Sequence, residues 1–476
     1  MNANTRAYPL LTLCCLVLPM ASALAEISRP SWLSDPLLAS PPLLETVGEN
    51  GPPCQLAQDN TATIISLATA LDMALCFNPQ SQDAWASIRQ YSAQRGEARA
   101  AYLPNISAGI SRQQQQSRYP ATSRQMDTSI STDSRYASLT WRLLDFGGRE
   151  ARLQAADHML SAALASRDAI IQKIMRDVIA LYFSAQSAQA ERDARAEGKN
   201  IAQEILTMTK RREAQGLAAH TDSLQAATAL AKAELELARA TANADKTSLA
   251  LALKLGFPQG VMRLPRIQAA DVRRYNVIQK DLSAWQALAS EQHPAIVAAY
   301  AQWQAAKEQY KATRADGLPV LDFSHSRYLN GRPNQELSAR QSRETVTGLT
   351  LSIPLFEGFG RHYKQQGALA QIAQKEAQWQ ETRNQVLHDI SQTYSEATAS
   401  LLTLEASGRL LRIAEETMQA IQRKYAIGLA DTQEILNAQA GLADARQERV
   451  RTLAEWRSAQ LRLLADAGKL RLHDVE

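Results

Sequence analysis

The sequence of 476 residues is short of the residues that punctuate turn-rich folds. It has 20 glycines and 17 prolines, too few for an all-β chain built from many tight turns. Aromatic residues make up only 6%. No strong charge of one sign is present: the formal net charge is +4, spread along the chain, which excludes a basic nucleic-acid-binding surface. The seven histidines (158, 220, 293, 325, 362, 388, 473) show no ligand spacing such as His-x3-His, so no metal site is expected. His325, on an expected strand, reads as a loop or interface residue rather than a ligand. No catalytic set emerges, and no cofactor is implied. What the chain does have is Ala, Leu, Gln, Glu and Arg, with 45% apolar residues, a composition suited to long helices.

Long hydrophobic runs are also missing, except at the start. Residues 1–25 read as a cleaved signal peptide, with Arg6, an apolar stretch from Leu10 to Met20, and Ala23-Leu24-Ala25 before Glu26. Leu13, preceding Cys14, argues against a lipid-attachment site. After residue 25 no apolar run reaches the roughly 18 residues of a transmembrane helix, so the exported chain is expected to be soluble or a β-barrel. Two cysteines remain, Cys54 and Cys76. In an oxidising compartment they can form a disulfide; the alternative is two free thiols. Residues 26–65 read as a Pro-rich external arm.

An internal repeat organises the rest. Leu139-Thr-Trp-Arg-Leu-Leu-Asp-Phe-Gly-Gly-Arg149 aligns with Leu351-Ser-Ile-Pro-Leu-Phe-Glu-Gly-Phe-Gly-Arg361 at an offset of 212. The same offset relates Gly216-Leu217-Ala218 to Gly428-Leu429-Ala430 and Gly256 to Gly468. Upstream, Pro79 and Pro104 map onto Pro294 and Pro319 at an offset of 215. The expected units are 66–255 and 286–469, with a linker over 256–285 and a tail over 470–476.

Each unit has one grammar. A helix (80–102, 295–316) stops at Leu-Pro. Two stretches of period-2 alternation follow, expected as strands over about 104–115 and 135–144, then 319–329 and 345–355. The polar connections 112–135 and 327–344 read as exposed loops. Two long helices complete each unit, 149–215 with 217–255 and 361–427 with 429–467. In the first, Leu153, Leu160, Leu164, Ile171, Ile174, Val178 and Leu181 form a coiled-coil-like seam. A helix of about 66 residues is roughly 100 Å long.

Four amphipathic strands cannot close a barrel, and an open edge in lipid leaves backbone groups unsatisfied. Three copies would give 12 strands, with the long helices closing into a tube beneath. The expected fold is therefore α plus transmembrane β: a duplicated helix–strand–strand–helix–helix unit contributing four strands to a trimeric barrel continuous with a helical tunnel. A soluble coiled-coil protein with ordinary hairpins is the blander alternative.

The repeat, the element order, the 354–361 junction Pro-Leu-Phe-Glu-Gly-Phe-Gly-Arg and the Gly-Leu-Ala turns resemble the TolC family of outer-membrane efflux proteins, over residues 66–469. The segments Leu75–Trp85 and Ala101–Pro104 resemble a branch that includes exporters of adenylate-cyclase-type toxins. The resemblance implies a homotrimer in the outer membrane, mostly periplasmic by mass, passing substrates from an inner-membrane ABC or proton-driven pump through a periplasmic adaptor. Type I protein secretion is the expected function. Small-molecule or metal efflux and a non-conducting periplasmic scaffold are the alternatives. Neither an enzymatic activity nor a nucleic-acid partner is implied.

The resemblance also assigns residues. Gly216, Leu217, Ala218, Gly428, Leu429 and Ala430 match the tip turns that meet the adaptor. Tyr425, Asp222 and Glu434 match a periplasmic gate; Asn437 stands where the family has a second pore acid, and Ala430 where it has a tip arginine. Arg211, Arg212, Arg423 and Lys424 lie one turn away as substitutes. Gly147-Gly148-Arg149 and Gly358-Phe359-Gly360-Arg361 lack phosphate-loop spacing and read as strand-to-helix junctions bent by their glycines. Tyr102, Tyr136, Trp141 and Tyr328 are candidates for interfacial aromatic belts.

Overall fold

The computed structural model describes residues 35–41, 64–119, 126–256, 264–265, 280–330, 332, 342–471 and 474. The first half of the chain holds α1 (Leu67–Phe77), α2 (Pro79–Ala100), β1 (Asn105–Tyr119), β2 (Met126–Leu144), α3 (Gly148–Ala214) and α4 (His220–Lys254). The second half holds α5 (Leu282–Gln292), α6 (Pro294–Ala315), β3 (Val320–Leu329), β4 (Arg343–Ser352), α7 (Gly360–Ala426) and α8 (Thr432–Asp466). Matching helices have identical lengths of 11, 22, 67 and 35 residues. Among the described residues no helix is long and apolar enough to cross a membrane.

The helix starts follow local chemistry. Pro79 and Pro294 stand at first helical positions, where their missing N–H costs nothing. Asn78 Oδ1 accepts from Gln80 N at 2.9 Å, and His293 Nδ1 accepts from Ala295 N at 3.2 Å. The short helices α1 and α5, which the sequence reading left unassigned, pack against the long helices. Leu71, Ile174, Val178 and Leu251 meet in one buried cluster, and Trp285, Ile390 and Leu463 in its counterpart. Of the expected seam, Leu160, Ile174 and Val178 are buried, while Leu153, Leu164, Ile171 and Leu181 are half-buried. Ile179 and Tyr182 are buried as well, because α3 packs on more than one side.

The strands form one antiparallel sheet in the order β1-β2-β3-β4. Asn105 lies opposite Thr140, and Val320 opposite Ser352, so the repeat reproduces its register residue for residue. One face carries Ile106, Leu139, Trp141, Phe323, Leu349 and Leu351. The other carries Ser107 and Ser138, whose hydroxyls meet at 2.7 Å, and Arg142, which donates to Asp322 at 3.1 Å. Among the described residues, edge strands β1 and β4 have no second neighbour.

The segment 112–135 corrects the sequence reading. It is mostly strand, because β1 runs to Tyr119 and β2 starts at Met126. Beyond Ile110 most residues of both strands are polar, so the alternation fades while main-chain pairing continues, as Gln113 opposite Thr132 shows.

Of the N-terminal arm, residues 35–41 and 64–65 are described. Residues 35–41 lie along α2: Arg99 donates to the carbonyls of Leu37 and Leu38, and Arg95 to that of Ala39 at 3.2 Å. Cys76 is disulfide-bonded; Cys54, its expected partner, lies outside the described residues, as does the signal peptide.

Candidate functional site

Each strand-to-helix junction is built around one arginine. Arg149 is buried; it donates to the carbonyls of Arg142 at 2.8 Å and Leu143 at 3.2 Å, and its guanidinium lies 4.8 Å from the Tyr102 ring centroid. Asp145 accepts from the Arg149 N–H at 2.7 Å and so caps α3. Arg361 repeats the arrangement, donating to Pro354 and Gly317 carbonyls, both at 3.2 Å. These arginines therefore tie the helix start to the strand end. The bend is not made by glycine alone. Phe146 (φ 51°) and Gly147 (φ 92°) turn the first junction, and Gly358 (φ 60°) and Phe359 (φ 64°) the second, with one phenylalanine in the left-handed region each time. Gly148 faces Asp145 and Ala315 closely, whereas nothing crowds Gly360.

The aromatic candidates divide. Trp141 stays on the apolar face, 41% exposed, and donates to the Tyr102 carbonyl at 2.9 Å. Tyr136 and Tyr328 stand on the polar face, ring centroids 6.1 Å apart, so they are not part of an outer belt. Tyr136 covers Gly109, where a Cβ would fall 2.6 Å from the ring. His325 lies within β3, the strand expected there, on the apolar face, its ring 2.8 Å from Thr347 Oγ1.

At the far ends of the long helices two turns reverse the chain. Gly216 (φ 72°) and Gly428 (φ 78°) end α3 and α7 in the left-handed conformation, which glycine adopts without a Cβ penalty. Leu217 N donates to Arg212 O at 2.9 Å, and Leu429 N to Lys424 O at 2.8 Å. The turns expose Leu217, Ile427 and Leu429, while Ala218 is half-buried and Ala430 buried.

Tyr425 is buried beneath the second turn. Its hydroxyl lies 3.2 Å from Thr209 Oγ1; Arg212 stacks 4.8 Å from its ring centroid and donates to its carbonyl at 3.1 Å. Of the four candidate basic residues, Arg212 is the one brought to Tyr425. Asp222 is not: its carboxylate accepts from Ala219 N at 3.1 Å and closes the first turn of α4. Glu434 is exposed in the first turn of α8, which Asp431 caps by accepting from Glu434 N at 2.7 Å. Asn437 is exposed and accepts from Gln433 at 2.9 Å.

The sequence reading missed the brace of the first turn. Glu213 stands one repeat before Tyr425, and there it binds His220 Nδ1 at 2.8 Å and the Ser223 hydroxyl. Donation by Ser223, then by His220, holds the Glu213 carboxyl below its ordinary range. The offset of 212 was the signal that would have found this pair of non-equivalent residues.

The comparisons with known proteins agree with this geometry. The model of the outer membrane efflux protein family matches twice, over residues 70–256 and 285–469. The chain belongs to the outer membrane efflux protein family. It is 32% identical over 438 residues to Protein CyaE of Bordetella pertussis, covering 91% of this chain and 90% of that one. It is 24% identical over 195 residues to the alkaline protease secretion protein AprF of Pseudomonas aeruginosa, covering 41% and 40%. Among solved structures it resembles VceC of Vibrio cholerae (TM-score 0.71, 20% identity, covering 85% of this chain and 96% of that one) and CusC (TM-score 0.72, 16% identity, covering 88% and 96%). These likenesses give the fold of an outer-membrane channel, and the family places the chain in the outer membrane with its helices in the periplasm.

Proposed function

We propose that three copies of this efflux-family chain close a 12-stranded barrel over a helical tunnel, and that the tube is the exit of a type I protein-secretion system. The carrying observation is the open four-stranded sheet, whose strands β2 and β4 each run into a helix of 67 residues, roughly 100 Å long. A sheet of that kind needs further copies to leave no edge in lipid. Protein as the cargo is supported by the likeness along nearly the whole chain to CyaE and by the partial one to the alkaline protease secretion protein.

The exposed Leu217, Ile427 and Leu429 suit the tips to an apolar contact with a periplasmic adaptor, itself fed by an inner-membrane ABC pump. Tyr425, clamped by Arg212 and Thr209, serves as the resting gate, and three copies of Glu434 ring the narrow end. Removing the chain from cells is expected to leave the pump's protein substrate cell-associated while resistance to small drugs is unchanged. The opposite pattern would assign the tube to small-molecule efflux.

A further inference from the structure

Register and strand slope bring three arginines of each chain to one depth in the membrane. On the outward face of the sheet the apolar residues give way, towards the hairpin ends, to Arg112 on β1, Arg135 on β2 and Arg327 on β3, all exposed. Arg112 lies opposite Asp133, and Arg135 opposite Leu329. Each strand-to-strand step between these arginines thus descends two residues towards the helices.

The internal repeat says how level that path is. Ile110 lines up across its own sheet with Arg135, Leu329 and Arg343. Because β3–β4 copies the β1–β2 register, the β2–β3 register, Leu139 opposite His325, carries over to the boundary between copies and sets Leu351 beside Ile110 of the next one. Leu351 is eight residues nearer the helices than Arg343. Spread over four strands, a level circuit descends two residues per strand, the same step the arginines take. The circuit runs Arg112, Arg135, Arg327, Thr347 and then Arg112 of the next copy, closing on itself.

On β4 the outward positions change at Thr347, from Leu351 and Leu349 below it to Thr345 and Arg343 above, and the strand ends at Ser352, about 17 Å along the chain from Thr347. The circuit therefore marks the outer rim of the apolar band, at headgroup level. Arg112 has one acid nearby, Asp133 at 3.5 Å, with both side chains exposed. Among the described residues no ion pair engages Arg135 or Arg327, and Arg343 adds a further positive charge just outside the ring. None of the four strands contains a lysine. Guanidinium forks about 8 Å apart suit phosphate oxygens, which two neighbours can share.

We propose that this ring binds the phosphates of the outer-leaflet phosphorylated glycolipid, giving each channel a collar of held lipid; the inference rests on the trimeric-barrel reading above. The test uses full-length trimers in neutral detergent, offered diphosphorylated lipid A or its dephosphorylated form, with retained lipid counted by native mass spectrometry. Wild type is expected to retain the phosphorylated form at least about tenfold better, and R112Q/R135Q/R327Q to lose that preference. R142Q, on the inner face, should behave as wild type. Equal retention of both lipids by wild type, or an unchanged preference in the triple variant, overturns the proposal. So does a ring that takes inorganic phosphate as readily as the lipid. If the triple variant does not assemble, R135Q and R327Q singly give the same readout. The same preparations report heat-modifiable trimers and conductance, so a wild type without trimers would sink the channel reading rather than the ring.

Discussion

Arg212 and Tyr425, on different long helices and 213 positions apart, are joined twice: the guanidinium lies 4.8 Å from the ring centroid and donates to the Tyr425 carbonyl at 3.1 Å. Stacking contributes about 0.5–2 kcal/mol and the charged hydrogen bond about 1.5–3 kcal/mol. The tyrosine hydroxyl adds one neutral bond to Thr209, worth about 0.5–1.5 kcal/mol. Arg212→Gln should therefore raise resting conductance in planar bilayers more than Tyr425→Phe does. Equal effects, or none, would move the gate elsewhere along the tunnel.

Gly428 sits at φ 78°, and a Cβ there would meet only the end of the Arg212 side chain, at 4.0 Å, so the constraint is conformation more than room. Gly428→Val forces a β-branched side chain into that region, at about 1–2 kcal/mol or more. The barrel is about 100 Å away, so trimers should form normally, while crosslinking to the adaptor and export both fail. Normal export would show that the turn carries no contact.

Glu434 is an exposed acid in the first turn of α8, and the exposed Asn437 three residues on carries no charge. Three copies ringing the opening would attract cations through like-charge crowding. Glu434→Gln should lower cation selectivity in planar bilayers while leaving the Arg212–Tyr425 clamp, and so the resting conductance, as they are. Unchanged selectivity would mean that the ring is not at the constriction.

Local chemistry made much of this legible in the sequence. The apolar alternation of Leu349 and Leu351 marked a strand, and Gly216 and Gly428 marked helix reversals, because a residue's own conformational preference decides both. What stayed hidden depended on distant residues or on absent contrast. No local signal ties Arg212 to Tyr425. The upper β1–β2 hairpin is mostly polar, so no apolar alternation marks it. Asp222 matched a gate position, yet its nearest unsatisfied donor is the Ala219 N–H at the start of its own helix.

Leu351 and Thr350 test which face meets lipid. Leu351 shares a face with Phe323, Trp141 and Leu349, and Thr350 shares the other with Asp322. Leu351→Arg should cost about 2–4 kcal/mol near the bilayer midplane, read as lost heat-resistant trimer, whereas Thr350→Arg should be tolerated in the lumen. Equal loss in both would rule out this register.

His293 gives the chain an acid-sensitive joint that its repeat counterpart lacks. Its Nδ1 accepts from Ala295 N at 3.2 Å and so must be unprotonated, and burial pushes the imidazole down to about 4, with Asp389 pulling weakly the other way. An unfolded histidine titrates near 6.5. Between those values the unfolded chain binds a proton that the folded chain does not, so stability falls as pH drops from about 6.5 to about 4, by about 3 kcal/mol in all. Nearby Asp466, bonded to Thr393 and Arg176 and raised by burial, works in the opposite sense, losing stability as pH rises through the carboxylate range. Asn78 caps α2 at the equivalent position without a titrating group. His293→Asn should thus keep the cap and flatten the dependence of the thermal midpoint between pH 4 and 6.5. If wild type and variant lose stability in parallel over that window, the acid-labile group is another one.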